Sequence, residues 1–406
     1  MATQAVTLPA RGLTLPRNWW WTLVLALAGI WGLAAWGYEL ANGLQSTGMR
    51  DVVSWGMYIF SFAFFVGLSA GGLIVASSAE VFGIKALKPL SRLGVLSAAA
   101  CITVAALMII PDLGRPERVL NIILYPNWTS PLVWDIGIIA AYFIFSVVDL
   151  FVLTQHAANP GPWRRWLRIL AYVGLPLAVL LHSITAWIFG LQIARSFWNT
   201  ALMAPLFVTS AVLSGTALVT LIVLCAERFD RITISAETRA WLRGLLAVAL
   251  VVDLFLVGSD YITILWGNVP QERAGLDLIL PGGGWSWLFW MEWIVGGLVP
   301  FLLLVVPRLK QLPGSLLATA VLIMVGVFAF RIDLIVGGFI SPLISYTPGI
   351  ALGSYSATAT SFQLPGSYSP TWVEYGIVVG LFALFAAIVT TGYRRLHVMR
   401  AGVESQ

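Results

Sequence analysis

Eleven ionisable side chains sit inside or at the ends of long apolar blocks: Glu80, Asp112, Asp135, Asp149, His182, Asp253, Asp260, Glu292, Arg331, Asp333 and Glu374. A charge in hydrocarbon is costly, so each needs a partner, a water-filled cavity or a task. His182 is the one histidine within such a block, since His156 falls in a connection and His397 in the tail. A haem held by two histidines inside the bundle is thereby excluded. Beside a carboxylate of similar depth the imidazole can accept and release protons near neutral pH. Its plainer use is an interhelical hydrogen bond. Arg331 and Asp333 are two residues apart and so face different sides of a helix. Arg331 is expected to pair with Asp260 or Glu292, either to tie its helix in place or to anchor a ligand. Asp149 and Asp253 lie deeper, and either bond to neighbouring helices or line a proton or water route to the cytoplasm. Glu80 and Glu374 are placed to snorkel to the interfaces.

The elements that must hold these residues follow from composition. Of 406 residues, 59% are apolar or aromatic and 10% are charged, and the mean hydropathy is +0.89. A soluble domain carries about a quarter charged residues. A soluble enzyme, a disordered chain and a disulfide scaffold are excluded, and solid apolar blocks are unlike the alternating segments of a β-barrel. The fold class is an all-α polytopic membrane protein with ten spans, at about 19–40, 54–82, 91–110, 131–153, 166–193, 200–225, 241–266, 285–306, 315–336 and 372–393. Tryptophans cluster at span ends as an aromatic belt, and Gly67, Gly71 and Gly72 permit close helix approach.

Seventeen Lys and Arg fall in the tails and even-numbered loops, whereas the odd-numbered loops carry only Arg50, Arg115, Arg118, Arg195 and Arg273. Both termini are therefore expected in the cytoplasm of a bacterial or archaeal cell, with the odd loops outside. The N-terminus reads as lacking a signal peptide, with Arg11 and Arg17 ahead of a Trp-rich span. The net charge of +5 reflects this orientation and implies no nucleic acid. Cys101 and Cys225 are too few for an iron–sulfur cluster and make no convincing disulfide.

A faint repeat relates the second to fifth spans to the sixth to ninth. Glu80 answers Glu227, Asp112 answers Asp260, Asp135 answers Glu292, and His182 answers Arg331. Four helices per unit keep direction, so the repeats are parallel, about an axis along the membrane normal. The expected organisation is a tail and first flanking helix over 1–53, a four-helix bundle over 54–193, a second over 194–336, a long uncharged outer loop over 337–371, and a last helix with tail over 372–406. An uncharged loop of that length is explained by packing against protein.

Trp55-Gly-Met-Tyr-Ile, Gly67-Leu-Ser-Ala-Gly-Gly, Asp112-Leu-Gly-Arg-Pro-Glu-Arg and His182-Ser-Ile-Thr-Ala-Trp-Ile-Phe-Gly resemble the NrfD-like membrane subunits of polysulfide reductase-type complexes. The Phe197–Val208 stretch and the Arg331 segment are similar to the same family, whose longer, ten-span branch fits this chain. The resemblance implies a subunit without haem or cluster of its own that binds a quinone or quinol (menaquinone or ubiquinone). It also implies docking to a four-cluster, ferredoxin-like iron–sulfur subunit on the outer face, often with a molybdopterin-type catalytic subunit. The pocket it implies lies near that face in the first bundle, at Asp135 and His182, with Tyr58 and Asp112 close to the same end.

The resulting expectation is that quinol enters from lipid, His182 and Asp135 bind the ring oxygens and take the protons, and the electrons leave to the partner. Loop 337–371 and the Asp112–Arg118 turn would form part of the docking surface. Glu80, Asp149 and Asp253 would conduct protons from the cytoplasm, with Asp260, Glu292 and Arg331 as further members of the route. A secondary transporter using intramembrane charges and an anchor without its own quinone site are the alternatives.

Overall fold

The computed structural model describes residues 19–51, 53–230, 233–340, 351–352, 355–356 and 368–396. Among the described residues, ten helices are long and apolar enough to cross a membrane. They are α1 (Trp19–Asn42), α2 (Met57–Val81), α3 (Ser91–Asp112), α4 (Pro131–Ala158), α5 (Pro160–Gly190), α6 (Met203–Asp230), α7 (Ala236–Gly267), α8 (Ser286–Val305), α9 (Ser315–Ile340) and α10 (Trp372–Arg395). The chain is an all-α polytopic membrane protein, as its composition requires. The largest boundary difference from the sequence reading is the start of α5. The sequence reading starts this span at about 166, after Arg164 and Arg165, but the helix opens at Pro160. Proline is favoured in the first helical turn, so Pro160 can open the helix ahead of Arg164, Arg165 and Arg168.

Helices α2 to α5 pack in a ring: α2 lies on α3 and α5, α4 on α5, and α3 on α4. Helices α6 to α9 repeat the pattern, with α6 on α7 and α9, and α8 on α9. The two rings join where α2 crosses α6, with α5 on α6 and α9 on α2 beside that crossing. Only glycine fits there. A methyl group on Gly71 would lie 1.9 Å from the Ala211 carbonyl oxygen, and one on Gly215 would lie 2.4 Å from the backbone of Gly71. Helices α1 and α10 pair with each other, and α10 rests on α3 and α2.

Contacts gather the odd-numbered connections at one end of the molecule, called here the odd-loop face. Ser46 and Gly48 meet the start of α10, Gly114 abuts Leu44, and the Trp198 indole donates to the Leu334 carbonyl at 2.6 Å. At the opposite face Thr238, opening α7, donates to the Ala86 carbonyl in the second connection at 2.8 Å.

One helix departs from α geometry. Residues Trp290–Leu298 of α8 form a π-helix, and the Val299 amide reaches back to the Ile294 carbonyl. Gly296 in this segment touches Gly326 of α9, where a methyl group would lie 2.3 Å from the facing Cα. Such segments are rare and recur at functional sites; this one turns Glu292 into the protein.

Candidate functional site

Three carboxyls converge at the odd-loop end of α1, α2, α3 and α10. Glu39, near the end of α1, is 1% exposed, and its Oε2 accepts the hydroxyl proton of Tyr58 in the first turn of α2. Its other oxygen, Oε1, is buried without a hydrogen-bond partner. Glu374 is the third residue of α10 and forms a capping box with Thr371. Its Oε2 also accepts from the Gly48 amide at 2.6 Å, and its Oε1 accepts from the Tyr368 hydroxyl. The Tyr368 oxygen in turn accepts the Met57 amide at 2.6 Å, one residue before Tyr58. Asp112 ends α3 within the fields of Glu39 and Glu374, and its Oδ1 has no partner. Burial and the charge of Glu374 raise Tyr368 far above the usual phenol range, so this hydroxyl is a fixed bridge and not a proton carrier.

This end is locked by close fit. A methyl group on Gly56 would lie 2.4 Å from the Tyr368 hydroxyl, and one on Gly48 would lie 2.1 Å from the Ser369 carbonyl. The connection after α1 and the residues entering α10 therefore interlock, and Tyr58 and Glu39 are held between them. Among the described residues no three His, Cys, Asp or Glu side chains could hold a metal ion. What the arrangement offers is hydrogen-bond acceptance by carboxyls that make no ion pair among the described residues.

His182 and Asp135 lie elsewhere. Gly67 of α2 rests against the His182 ring, where a methyl group would come within 3.3 Å of Nε2. Gly67 is nine residues beyond Tyr58, so the imidazole is roughly 13 Å deeper along α2. Its Nε2 faces the Arg331 guanidinium at 3.2 Å, and Nδ1 has no partner. A guanidinium only donates, so Nε2 accepts and the ring proton belongs on Nδ1. The expectation of a carboxylate beside His182 is corrected: its polar neighbour is a cation. Asp135 is bound by the Thr185 hydroxyl at 2.6 Å, one turn from His182 on α5. The structure thus does not gather Tyr58, Asp112, Asp135 and His182 into one contact set.

Arg331 is fully buried, donates to Ser210 of α6, and stacks over Phe207 with its guanidinium carbon 4.0 Å from the ring centre. Asp253 and Glu292 are the carboxyls whose fields reach it. It does not pair with Asp260, which is instead bound by Thr200 at 2.8 Å. No ion pair within 4.0 Å involves Arg331 among the described residues. Asp333, 2% exposed, accepts from Tyr261 at 2.8 Å, and Glu292 lies in its field. Thr209 reaches Asp253 at 3.3 Å. Further out, on the short helix Pro270–Ile279, burial and the field of Asp260 raise the Glu272 carboxyl above its usual range. His182 and Arg331, 149 residues apart, meet where the repeat makes them equivalent.

One further expectation changes. Glu374 does not snorkel, because its carboxyl is fully buried as a cap. Glu80 forms a 3.1 Å salt bridge with Lys88 at the opposite face. Its repeat counterpart Glu227 likewise binds Arg239. Asp149 is 4% exposed, beside Tyr142, whose hydroxyl donates to the Ser69 carbonyl at 2.8 Å. Most of loop 337–371 and the tail arginines Arg11 and Arg17 lie outside the described residues. The described end of that loop, Tyr368–Thr371, packs on this protein itself.

Glu39, Tyr368 and Tyr261 escape the sequence reading. Glu39 stands three residues from the end of its helix and reads as an ordinary terminal charge. The tyrosines carry no charge, and only their partners distinguish them from the aromatic belt.

With this geometry in place, comparison supplies the family. The chain matches the family described as Polysulphide reductase, NrfD, over residues 45–342, and it belongs to that family. It is 37% identical to a putative dimethyl sulfoxide reductase membrane subunit of Halobacterium salinarum, over 97% of this chain and 94% of that protein. It is 29% identical to an Hdr-like menaquinol oxidoreductase integral membrane subunit of Archaeoglobus fulgidus, over 92% of each. A menaquinone reductase integral membrane subunit of Nitratidesulfovibrio vulgaris is 24% identical, over 93% of this chain and 91% of its own length.

Proposed function

We propose that the chain is the quinone-reactive membrane subunit of a respiratory oxidoreductase complex, exchanging electrons between a membrane quinol and an iron–sulfur subunit at the odd-loop face. A molybdopterin-type subunit would complete the complex, and the charge asymmetry of the loops would set the odd-loop face outside the cytoplasm. Relatives named as menaquinol oxidoreductase and menaquinone reductase membrane subunits support the quinone reading. The quinone, when bound, supplies two-electron, two-proton chemistry; this chain supplies the pocket and the proton partners.

The observation that carries the reading is that the Tyr58 hydroxyl, bonded to Glu39, and an unpartnered Asp112 Oδ1 lie at the same end of the bundle. A quinol ring needs hydrogen-bond acceptors, and the Tyr58 hydroxyl oxygen, whose proton goes to Glu39, and Asp112 Oδ1 can both accept. Tyr58 orients the ring oxygen. Asp112, beside the loop at the surface, receives or returns a proton. His182 lies about 13 Å deeper than Tyr58 by helix rise, and in this reading it and Asp135, one turn away at Thr185, form the inner wall and not the ring contact.

The test is quinol-dependent reduction of the partner's clusters in the purified complex. Tyr58→Phe and Asp112→Asn should each lower it by roughly a hundredfold, the scale of a lost proton-transfer partner, with the complex assembled. Wild-type turnover in both variants would overturn the reading.

A further inference from the structure

Helix α1 ends in a carboxyl that lies outside the segment the family match covers, as do Tyr368 and Glu374 of the α10 end. We infer that Glu39 is a catalytic base of the quinone site, accepting one of the two quinol protons, and that Tyr368 and Glu374 are the positioning residues that hold it there. The inference rests on the quinone reading above and adds to it the two helices at the chain ends.

Four observations carry it. Glu39 is 1% exposed, yet only one of its oxygens is used, by Tyr58. Its Oε1 is a buried acceptor with nothing donating to it, a state that native proteins rarely leave unfilled unless a ligand or water completes it. Asp112 Oδ1 is a second unfilled acceptor within reach of the Glu39 field. The polar surroundings are rigid. Tyr368 ties the Met57 amide to Glu374, and Glu374 ties the Gly48 amide to the start of α10. The titratable groups facing Glu39 are Tyr58 from α2, Glu374 from α10 and Asp112 from α3.

The proton balance closes on these residues. In the oxidising direction one quinol O–H bond breaks and its proton bonds to Glu39 Oε1. The second quinol proton goes to Asp112 Oδ1. Two electrons pass one at a time to an iron–sulfur centre of the partner subunit, and the quinone departs. Quinone reduction runs the same transfers backward.

The experiment uses the purified complex with its partner subunits. Glu39→Gln keeps the size of the side chain and the acceptor for Tyr58 but cannot take a proton. Its kcat for quinol oxidation should fall by roughly a hundredfold, while KM and quinone content hold and the acid limb of the pH profile disappears. Glu39→Asp should restore part of kcat with a shifted limb. Glu374→Gln should weaken KM and kcat together without removing the limb. If Glu39→Gln keeps wild-type kcat and pH profile while Tyr58→Phe and Asp112→Asn are inactive, the role of Glu39 is overturned and the quinone site stands. If all three turn over normally, both fall. Should Glu39→Gln fail to assemble, a wild-type pH profile in Glu39→Asp overturns the inference.

Discussion

Buried carboxyls gather in two places in this protein, and the places differ in what balances them. At the odd-loop end, Glu39, Asp112 and Glu374 meet two tyrosine hydroxyls and backbone amides. In the second ring of helices, Asp253 and Glu292 lie in the field of Arg331, with Asp333 bound by Tyr261. A carboxyl in the field of a buried guanidinium is needed to balance that cation. One that has only hydroxyls and amides around it carries no such duty. The first region is therefore suited to chemistry and the second to holding two bundles in register, although both carry orphaned oxygens.

The comparison breaks most readily at Arg331. Arg331→Leu removes the cation while Asp253 and Glu292 stay buried, and His182 Nε2 loses its donor. Removing one member of a buried charge set costs about 3–5 kcal/mol, a large part of the stability of an ordinary domain. The expected outcome is loss of assembled complex from the membrane, measured by its yield and thermal midpoint, and not a selective loss of turnover. A complex that assembles normally with Arg331→Leu but fails to oxidise quinol would move the chemistry to the second region.

A smaller effect sharpens the contrast between the tyrosines. Tyr58 and Tyr261 each donate to a buried carboxylate. Tyr261→Phe should destabilise by about 1–3 kcal/mol, the cost of leaving Asp333 with both oxygens unpaired, and leave quinol turnover near wild type. Equal losses of turnover from Tyr58→Phe and Tyr261→Phe in the same assay would erase the distinction between the regions.

Much of the fold is legible in the residues themselves. Ten apolar blocks with glycine and proline between them leave little freedom, and the equivalence of Glu80 with Glu227 is met by like ion pairs at the same face. Depth is less legible than order. Tyr58, Asp112, Asp135 and His182 share a half of the membrane, yet which of them touch depends on helix rotation and on the crossing at Gly71 and Gly215. Arg331 illustrates the same limit: its charge marks it as buried and partnered, but a histidine and a serine as the partners follow only from packing. Glu39 was hidden for the opposite reason, since a charge near a helix end needs no special account until a neighbouring helix covers it.

The smallest expected effect lies at the opposite face and isolates the route proposed for protons from the cytoplasm. Glu80 carries a salt bridge to Lys88 with both side chains partly exposed. Such pairs contribute under about 1 kcal/mol. If Glu80 serves only to fasten the second connection to α2, Glu80→Gln should shift the thermal midpoint slightly and leave turnover and the membrane potential generated per quinol untouched. A conduit through this residue would show the reverse, with unchanged stability and a lower potential per quinol. The structure favours the first outcome. The Glu80 carboxylate faces an ammonium group at the surface, whereas Asp149, the next buried carboxyl on that side, has Tyr142 as its near neighbour. A carboxylate fastened to a lysine of the second connection already has a structural task, as do the carboxyls that balance Arg331.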